Sequence, residues 1–464
     1  MTNQTAVMTP NKNQITPNST FSGSFSVVTA DITPPLSIYA RNWGASAHDR
    51  AEAVHRPLWM QCFLMQSVND DILVWFTADL GWWKNNSDEL NLRNYILTKT
   101  NLKEEQVLFC LSHTHAGPSI CSADKDKPGG DQIAPYLKFL AETAVSLYEE
   151  GSRKMQKGTL TWGYGSCDLA TKRDFYVDGT YLIGYDPTQR ADDTLLVGAV
   201  RDEKGKQLAT LVNYACHPTT FAHENKMLSP DYIGSLREVV EAYSGCPCLF
   251  FQGASGDLAP KEQYVADPAI VDSHGRRLGH ATIATLESIP QNNMGLEFKE
   301  ALISGAPLAL WKPVEKAPNH QMGAQIIHVE MDYKKLPSVD ELLEAYEKCE
   351  DRVLKDRLWR KINTRRAIGE KKTEKVPVWI WQLGNAVVIA QANETYSVIQ
   401  EQLRSAFPDK NIVFINIANG YVGYLPPSDL YDKDMYAVWQ TPYAKGSLEK
   451  MIDRITEAIQ TLNL

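Results

Sequence analysis

No stretch of the 464-residue chain approaches the roughly 20 apolar residues that span a bilayer, so no membrane-crossing helix is expected. Nor is there an excess of Lys and Arg. The net charge of −9 argues against nucleic acid or an anionic membrane as the main partner. Cysteine is sparse and scattered. Of the eight, Cys110 and Cys216 sit inside apolar strand-like runs, where free thiols are usually buried. Only Cys246-Pro247-Cys248 is close-set, and with no second pair to complete a zinc site it reads as structural. Such thiols suit a reducing compartment, and the N-terminus has no apolar signal core, so a cytoplasmic location is expected. Two common hydrolase signatures are absent. There is no H-E-x-x-H, and no G-x-S-x-G elbow, because Gly253-Ala254-Ser255-Gly256-Asp257 holds its serine in the wrong register. No internal repeat or Pro- or Gly-rich linker divides the chain. Residues 1–22, rich in Asn, Thr, Pro and Ser, read as a flexible tail, and 23–464 as one unit.

What is present is an alternation of short apolar runs with helical patterns. Strands are expected at 71–80, 106–112, 195–202, 209–215, 248–253, 376–384, 386–392 and 412–418. Helices are expected at 135–151 (capped by Gly151), 229–244, 271–288, 338–368, 394–406 and 445–462. That order predicts an α/β fold, a layered α/β/α arrangement around a central mixed sheet. The charge-rich segment 338–373 reads as a solvated helix face without function.

The informative pattern is how the strands end, because ligands in open α/β sheets collect beyond the carboxyl ends of strands. Asp79 ends one, and His113-Thr114-His115 ends another, the alternation of a strand placing both imidazoles on one side. "NYACHPTTF" delivers His217, "FFQGASGDLAP" delivers Asp257, "QANETY" delivers Glu394, and "FINIANGYVGY" delivers Asn419, Tyr421 and Tyr424. Each has an ordinary explanation, since strand-end carboxylates often cap helices and lone histidines are usually packed or solvated. Isolated histidines and a carboxylate together at apolar strand ends suit a catalytic zinc, with three protein ligands and room for water.

"SHTHAGP", "NYACHPTTF", "GASGDLAP" and "ANGYVGY", with "ADITPP" at 30–35, resemble the neutral/alkaline non-lysosomal ceramidases, in order and approximate spacing over about residues 25 to 460. The resemblance implies one zinc ion and hydrolysis of an N-acyl amide bond. It places zinc ligands at His113, His217, Glu394 and Tyr424, and sets His115 and Arg173 around the substrate oxygen. Tyr436 falls near another site tyrosine of that family, a looser match, and Tyr421 and Asn419 join it as expected substrate contacts. The family's serine in "GDVSP" is Ala259 here, so no serine nucleophile is expected at that position. The chain also ends soon after the last motif, without that family's further C-terminal β-domain.

The reading that follows is a zinc-dependent amidohydrolase, with metal-bound water as nucleophile, acting on a small soluble substrate. His115 and Arg173 would stabilise the oxyanion. Tyr424 would be a ligand or a proton donor, and Asp257 would orient a histidine or the turn itself. A lactonase, lactamase or isomerase acting on a small polar ring keeps the same ligands, and a metal-stabilised binding protein without turnover keeps the same fold.

Overall fold

The computed structural model describes Thr20 to Leu462, so most of the expected tail lies outside the described residues, and Thr20–Ser22 already belong to the strand Thr20–Asp31. A central mixed sheet of eight strands is present, as the alternation predicts. Its spatial order is Cys248–Gln252, Gln207–Tyr214, Thr194–Asp202, Gln156–Ser166, Thr20–Asp31, Trp59–Gln66, Ile72–Ala78 and Val107–Leu111. Only the two outermost pairs are parallel. A second sheet of four strands, Met322–Asp332, Thr373–Leu383, Ala386–Ala390 and Asn411–Ile415, packs face to face with the first, so the layers run α/β/β/α.

Burial on both faces explains why the central strands read as unbroken apolar runs. In Ile72–Ala78, Leu73 and Trp75 point between the sheets, while Val74 and Phe76 point to the helices. Trp75 meets Phe251 at 3.9 Å and Trp381 of the second sheet at 5.9 Å between ring centroids. Helices Asn86–Thr100, Ile133–Ser152, Tyr232–Ser244 and Pro268–Ser288 cover the outer face of the large sheet. Val398–Ala406 and Ser447–Thr461 cover the small one.

Three expectations change in detail. Gly151 is not a cap: it lies inside Ile133–Ser152, where a Cβ would come within 2.5 Å of Leu64 Cδ1, so its smallness lets the helix sit close to the sheet. The expected helix 338–368 is two, Val339–Lys348 and Arg352–Ile368, the second capped by Asp351, which accepts from the amides of Val353 and Leu354 at 2.8 Å each. The helix expected from 394 begins at Val398. Glu394 instead stands in the two-residue strand Glu394–Thr395, paired with Tyr424–Leu425.

Candidate metal centre

Strand ends from both sheets converge on one buried point. The strand Val107–Leu111 stops before the histidines, so His113 and His115 are not set on one side by strand alternation. His113 takes a left-handed backbone, φ 68°, an uncommon conformation for a non-glycine residue, and its amide donates to Leu80 O at 2.9 Å. That kink, rather than the pleat, brings the two rings to 5.0 Å. His217 follows Gln207–Tyr214, and its ring centroid lies 4.9 Å from that of His113. Nitrogens of His113, His115 and His217 all lie within 4.8 Å of one another, a group able to hold a metal ion.

Glu394 is drawn to the same point by its pairing opposite Tyr424. Its Oε2 lies 2.8 Å from His217 Nε2 and 3.3 Å from His113 Nε2, and its Oε1 accepts from the Tyr421 hydroxyl at 2.8 Å. The turn behind it requires Gly256, where a Cβ would stand 2.7 Å from Glu394 O. Burial pushes the Glu394 carboxyl up, but His113 and His217 outweigh it and hold the group well below the usual range. Burial, reinforced by the Arg173 charge, lowers His217 to about 4. Burial and the two neighbouring imidazoles likewise push His115 well down. Those two rings are neutral at neutral pH, as a metal ligand must be.

The three histidines are not equivalent. His217 Nδ1 faces the carbonyls of Ser255 at 2.6 Å and Leu258 at 3.1 Å, and His113 Nδ1 faces Gly81 O at 3.1 Å. Each thereby donates one N–H to backbone and leaves Nε2 directed at the shared point, as metal-ligating histidines usually do. Neither nitrogen of His115 has a partner among the described residues, and its ring instead lies between Trp82 at 4.8 Å and Trp43 at 5.1 Å. His113 Nε2 is without a hydrogen bond as well. Buried nitrogens left open in this way, next to a carboxylate, form a donor set that zinc fits.

Arg173 is 4% exposed and enters from the far side. Its Nε and Nη2 bond Gly256 O at 3.2 and 2.9 Å, and Nη2 also donates to the Tyr424 hydroxyl at 2.8 Å, leaving Nη1 unengaged among the described residues. Burial drives the Tyr424 phenol well above its ordinary pKa, so it keeps its proton in this setting. Tyr436 opens the short helix Tyr436–Gln440, its ring 5.5 Å from that of Tyr424. A cavity of about 20 Å³, lined by Asn42, Trp43, Ser46 and His48 among others, adjoins His115 and is large enough for a single water.

Other expected residues have different tasks. Asp257 serves the turn and touches no histidine among the described residues: it pairs with Lys172 and accepts from the Ser397 amide at 2.7 Å. Asn419 spends its amide on the histidine strand, accepting from Phe109 N at 2.7 Å and donating to Val107 O at 2.9 Å, so it braces backbone rather than facing a substrate. Asp79 is fully buried against Arg237. Missed as site residues were Trp43, Trp82 and Arg360, the last in the helix Arg352–Ile368, which was expected as a helix but without function. That helix is not merely a solvated face, because Arg360 stacks on Trp82 at 5.8 Å. The Trp82-Trp83 pair just beyond the strand ending at Ala78 was the signal available for Trp82.

No family model matches the chain, and no curated protein matches it. Among solved structures it is similar to neutral ceramidase from Pseudomonas aeruginosa, with a TM-score of 0.67 and 16% identity over 94% of this chain and 73% of that one. It is similar also to a ceramidase complexed with C2, with a TM-score of 0.67 and 15% identity over 94% and 74% of the two chains. The fold implied by the motifs is therefore the fold found.

Proposed function

We propose that the protein is a zinc-dependent hydrolase of an N-acyl amide bond in a small, water-soluble substrate. The observation that carries this is the buried meeting of His113 and His217, each with Nδ1 tied to backbone and Nε2 turned toward Glu394. Those three side chains would hold the ion, with Tyr424 in register beside Glu394. Zinc in such a setting supplies Lewis acidity and lowers the pKa of bound water toward about 7.

The chain's own groups divide the remaining work. Arg173 Nη1 and an N–H of neutral His115, both without a partner among the described residues, would act as donors to the carbonyl oxygen while it gains charge. Losing one such donor typically costs about 10²–10³ in kcat. Glu394, ionised and steadied by the Tyr421 hydroxyl, favours cationic partners at the imidazole nitrogens. Tyr424, protonated and polarised by Arg173, is the O–H available to the leaving nitrogen. Ser255 is unsuited to nucleophilic attack: it is 1% exposed and its Oγ accepts from Gln252 Nε2 at 2.6 Å. All eight cysteines are free, which supports the cytoplasmic reading, and among the described residues no helix is long and apolar enough to cross a membrane.

The test is release of carboxylate and amine from a panel of short N-acyl amides, with and without a chelator. Chelator-sensitive release supports the reading. Cleavage of lactones or lactams in place of open-chain amides would move the reaction to a ring substrate, and binding without turnover would remove the enzyme.

A further inference from the structure

The helix Arg352–Ile368 carries seven Lys and Arg side chains against one carboxylate, Asp356, in a chain whose net charge is −9. It is also docked against the site. Arg352 donates to Ala45 O at 3.1 Å, beside the Trp43 that stacks on His115. Two of its guanidiniums reach aromatic rings that adjoin the metal centre. Arg360 lies 5.8 Å from the Trp82 ring, which is itself 4.8 Å from His115. Arg357 lies 5.8 Å from Tyr436 and 5.7 Å from Trp439, and Tyr436 meets Tyr424.

Their pairing is incomplete. Arg360 gives only Nη2 to Asp356, at 2.9 Å, and to Asn42 O, at 3.5 Å. Arg357 has no ion pair or hydrogen bond among the described residues. Close by, Lys334 donates to Val438 O at 2.6 Å, and burial with the charge of Lys361 lowers it to about 8, so positive charge is crowded on this side. Cation–π contact with aromatic rings explains how the guanidiniums are held in place, but it leaves most of their N–H groups unspent. A fixed, planar fork with free donors is the usual device for binding a carboxylate.

We propose that Arg357 and Arg360 form an anion subsite that binds a carboxylate carried by the substrate within a few bonds of the scissile amide, making N-acyl amino acids the substrate class. The short path from guanidinium through one ring to His115 or Tyr424 sets that spacing. The assignment of turnover rests on the amide-hydrolase reading, whereas the anion subsite is tested by binding alone.

The probes are N-hexanoylglycine and N-hexanoylglycinamide, which differ only in carboxylate against carboxamide. Calorimetric titration of the wild type should show the carboxylate bound about tenfold or more tightly, the difference one charge-assisted hydrogen bond makes. In the double variant Arg357→Gln/Arg360→Gln that ratio should fall toward one, and in Arg357→Lys/Arg360→Lys part of it should persist, which a purely structural role for the stacking would not produce. Thermal melts of all variants confirm that they are folded, and the Lys pair keeps the test informative if the Gln pair is not. Equal binding of the two probes by wild type, or a preference that survives in the Gln pair, overturns the subsite. Turnover of the same probes separates the two ideas. Carboxylate preference without cleavage upholds the subsite and defeats the amidase, while cleavage without preference does the reverse.

Discussion

Asp79 directly follows the strand Ile72–Ala78 as a strand-end carboxylate, so it is a residue where a structural and a chemical role are easily confused. Its side chain is fully buried and makes a two-pronged pair with Arg237, one arm at 2.9 Å, while Oδ2 also accepts from Trp59 N at 3.0 Å. Asp79→Ala would leave the Arg237 guanidinium, 4% exposed, without its counter-charge. Breaking one half of a buried pair costs about 3–5 kcal/mol. An exposed pair gives the scale of comparison: Glu344→Ala, removing the partner of Lys348 on a helix surface, should cost no more than about 0.5 kcal/mol. Replacing both members, Asp79→Leu with Arg237→Met, should recover most of the loss, because the stranded charge is gone. Urea unfolding followed by tryptophan fluorescence measures all three. A loss below about 1 kcal/mol for Asp79→Ala would refute the reasoning. So would an Asp79→Asn variant that folds as wild type yet has no turnover, since that would make Asp79 part of the chemistry.

Three further outcomes are expected. With Ala259 in the turn and Ser255 buried in a bond from Gln252, no acyl-enzyme should accumulate on any amide, and an acylated peptide found by mass spectrometry would contradict this. His274 is lowered to about 4 by burial and by Arg277, whereas the unfolded chain takes up that proton near 6.5. Stability should therefore be complete above 6.5 and fall as pH drops through that window, and His274→Gln should flatten this part of a urea-midpoint titration; an unchanged slope would count against it. Long-chain ceramide in detergent should be a poor substrate, and a kcat/KM inside the enzyme range of about 10⁴–10⁸ M⁻¹s⁻¹ would show that the preference for small soluble amides is wrong.

The parts of the fold that were legible are those where packing imposes one pattern. Strands such as Val107–Leu111 and Cys248–Gln252 are buried on both faces, so every position except the last, Gln252, is apolar. Thr20–Asp31 and Gln156–Ser166 escaped notice because serine, threonine and glycine fill their alternate positions. Met322–Asp332, in the second sheet, mixes glycine, His328 and Glu330 into its run, so neither its existence nor the stacking of two sheets could be read from periodicity. At the site, His113, His217 and Glu394 were visible as polar groups closing apolar runs. What joins them was not. The left-handed turn at His113 and the pairing of Glu394 with Tyr424 depend on contacts between segments far apart in the chain. Asn419 misled for the same reason: a strand-end amide looks alike whether it faces a ligand or laces another strand, and only the bonds to Val107 and Phe109 decide. Arg360 and Arg357 were hidden in a charge run whose pattern alone reads as a solvated face.

The central claim is that His113 and His217, with Glu394, hold one zinc, and that His115 does not. Metal content by inductively coupled plasma mass spectrometry, on purified wild type and on His113→Ala, His217→Ala, Glu394→Ala and His115→Ala, tests it directly. The expected result is about one zinc per chain in wild type, most of it lost in the first three variants, and its retention in His115→Ala with loss of turnover. A wild type that takes up no metal, or a His115→Ala protein that loses its zinc while His113→Ala keeps it, would contradict the account.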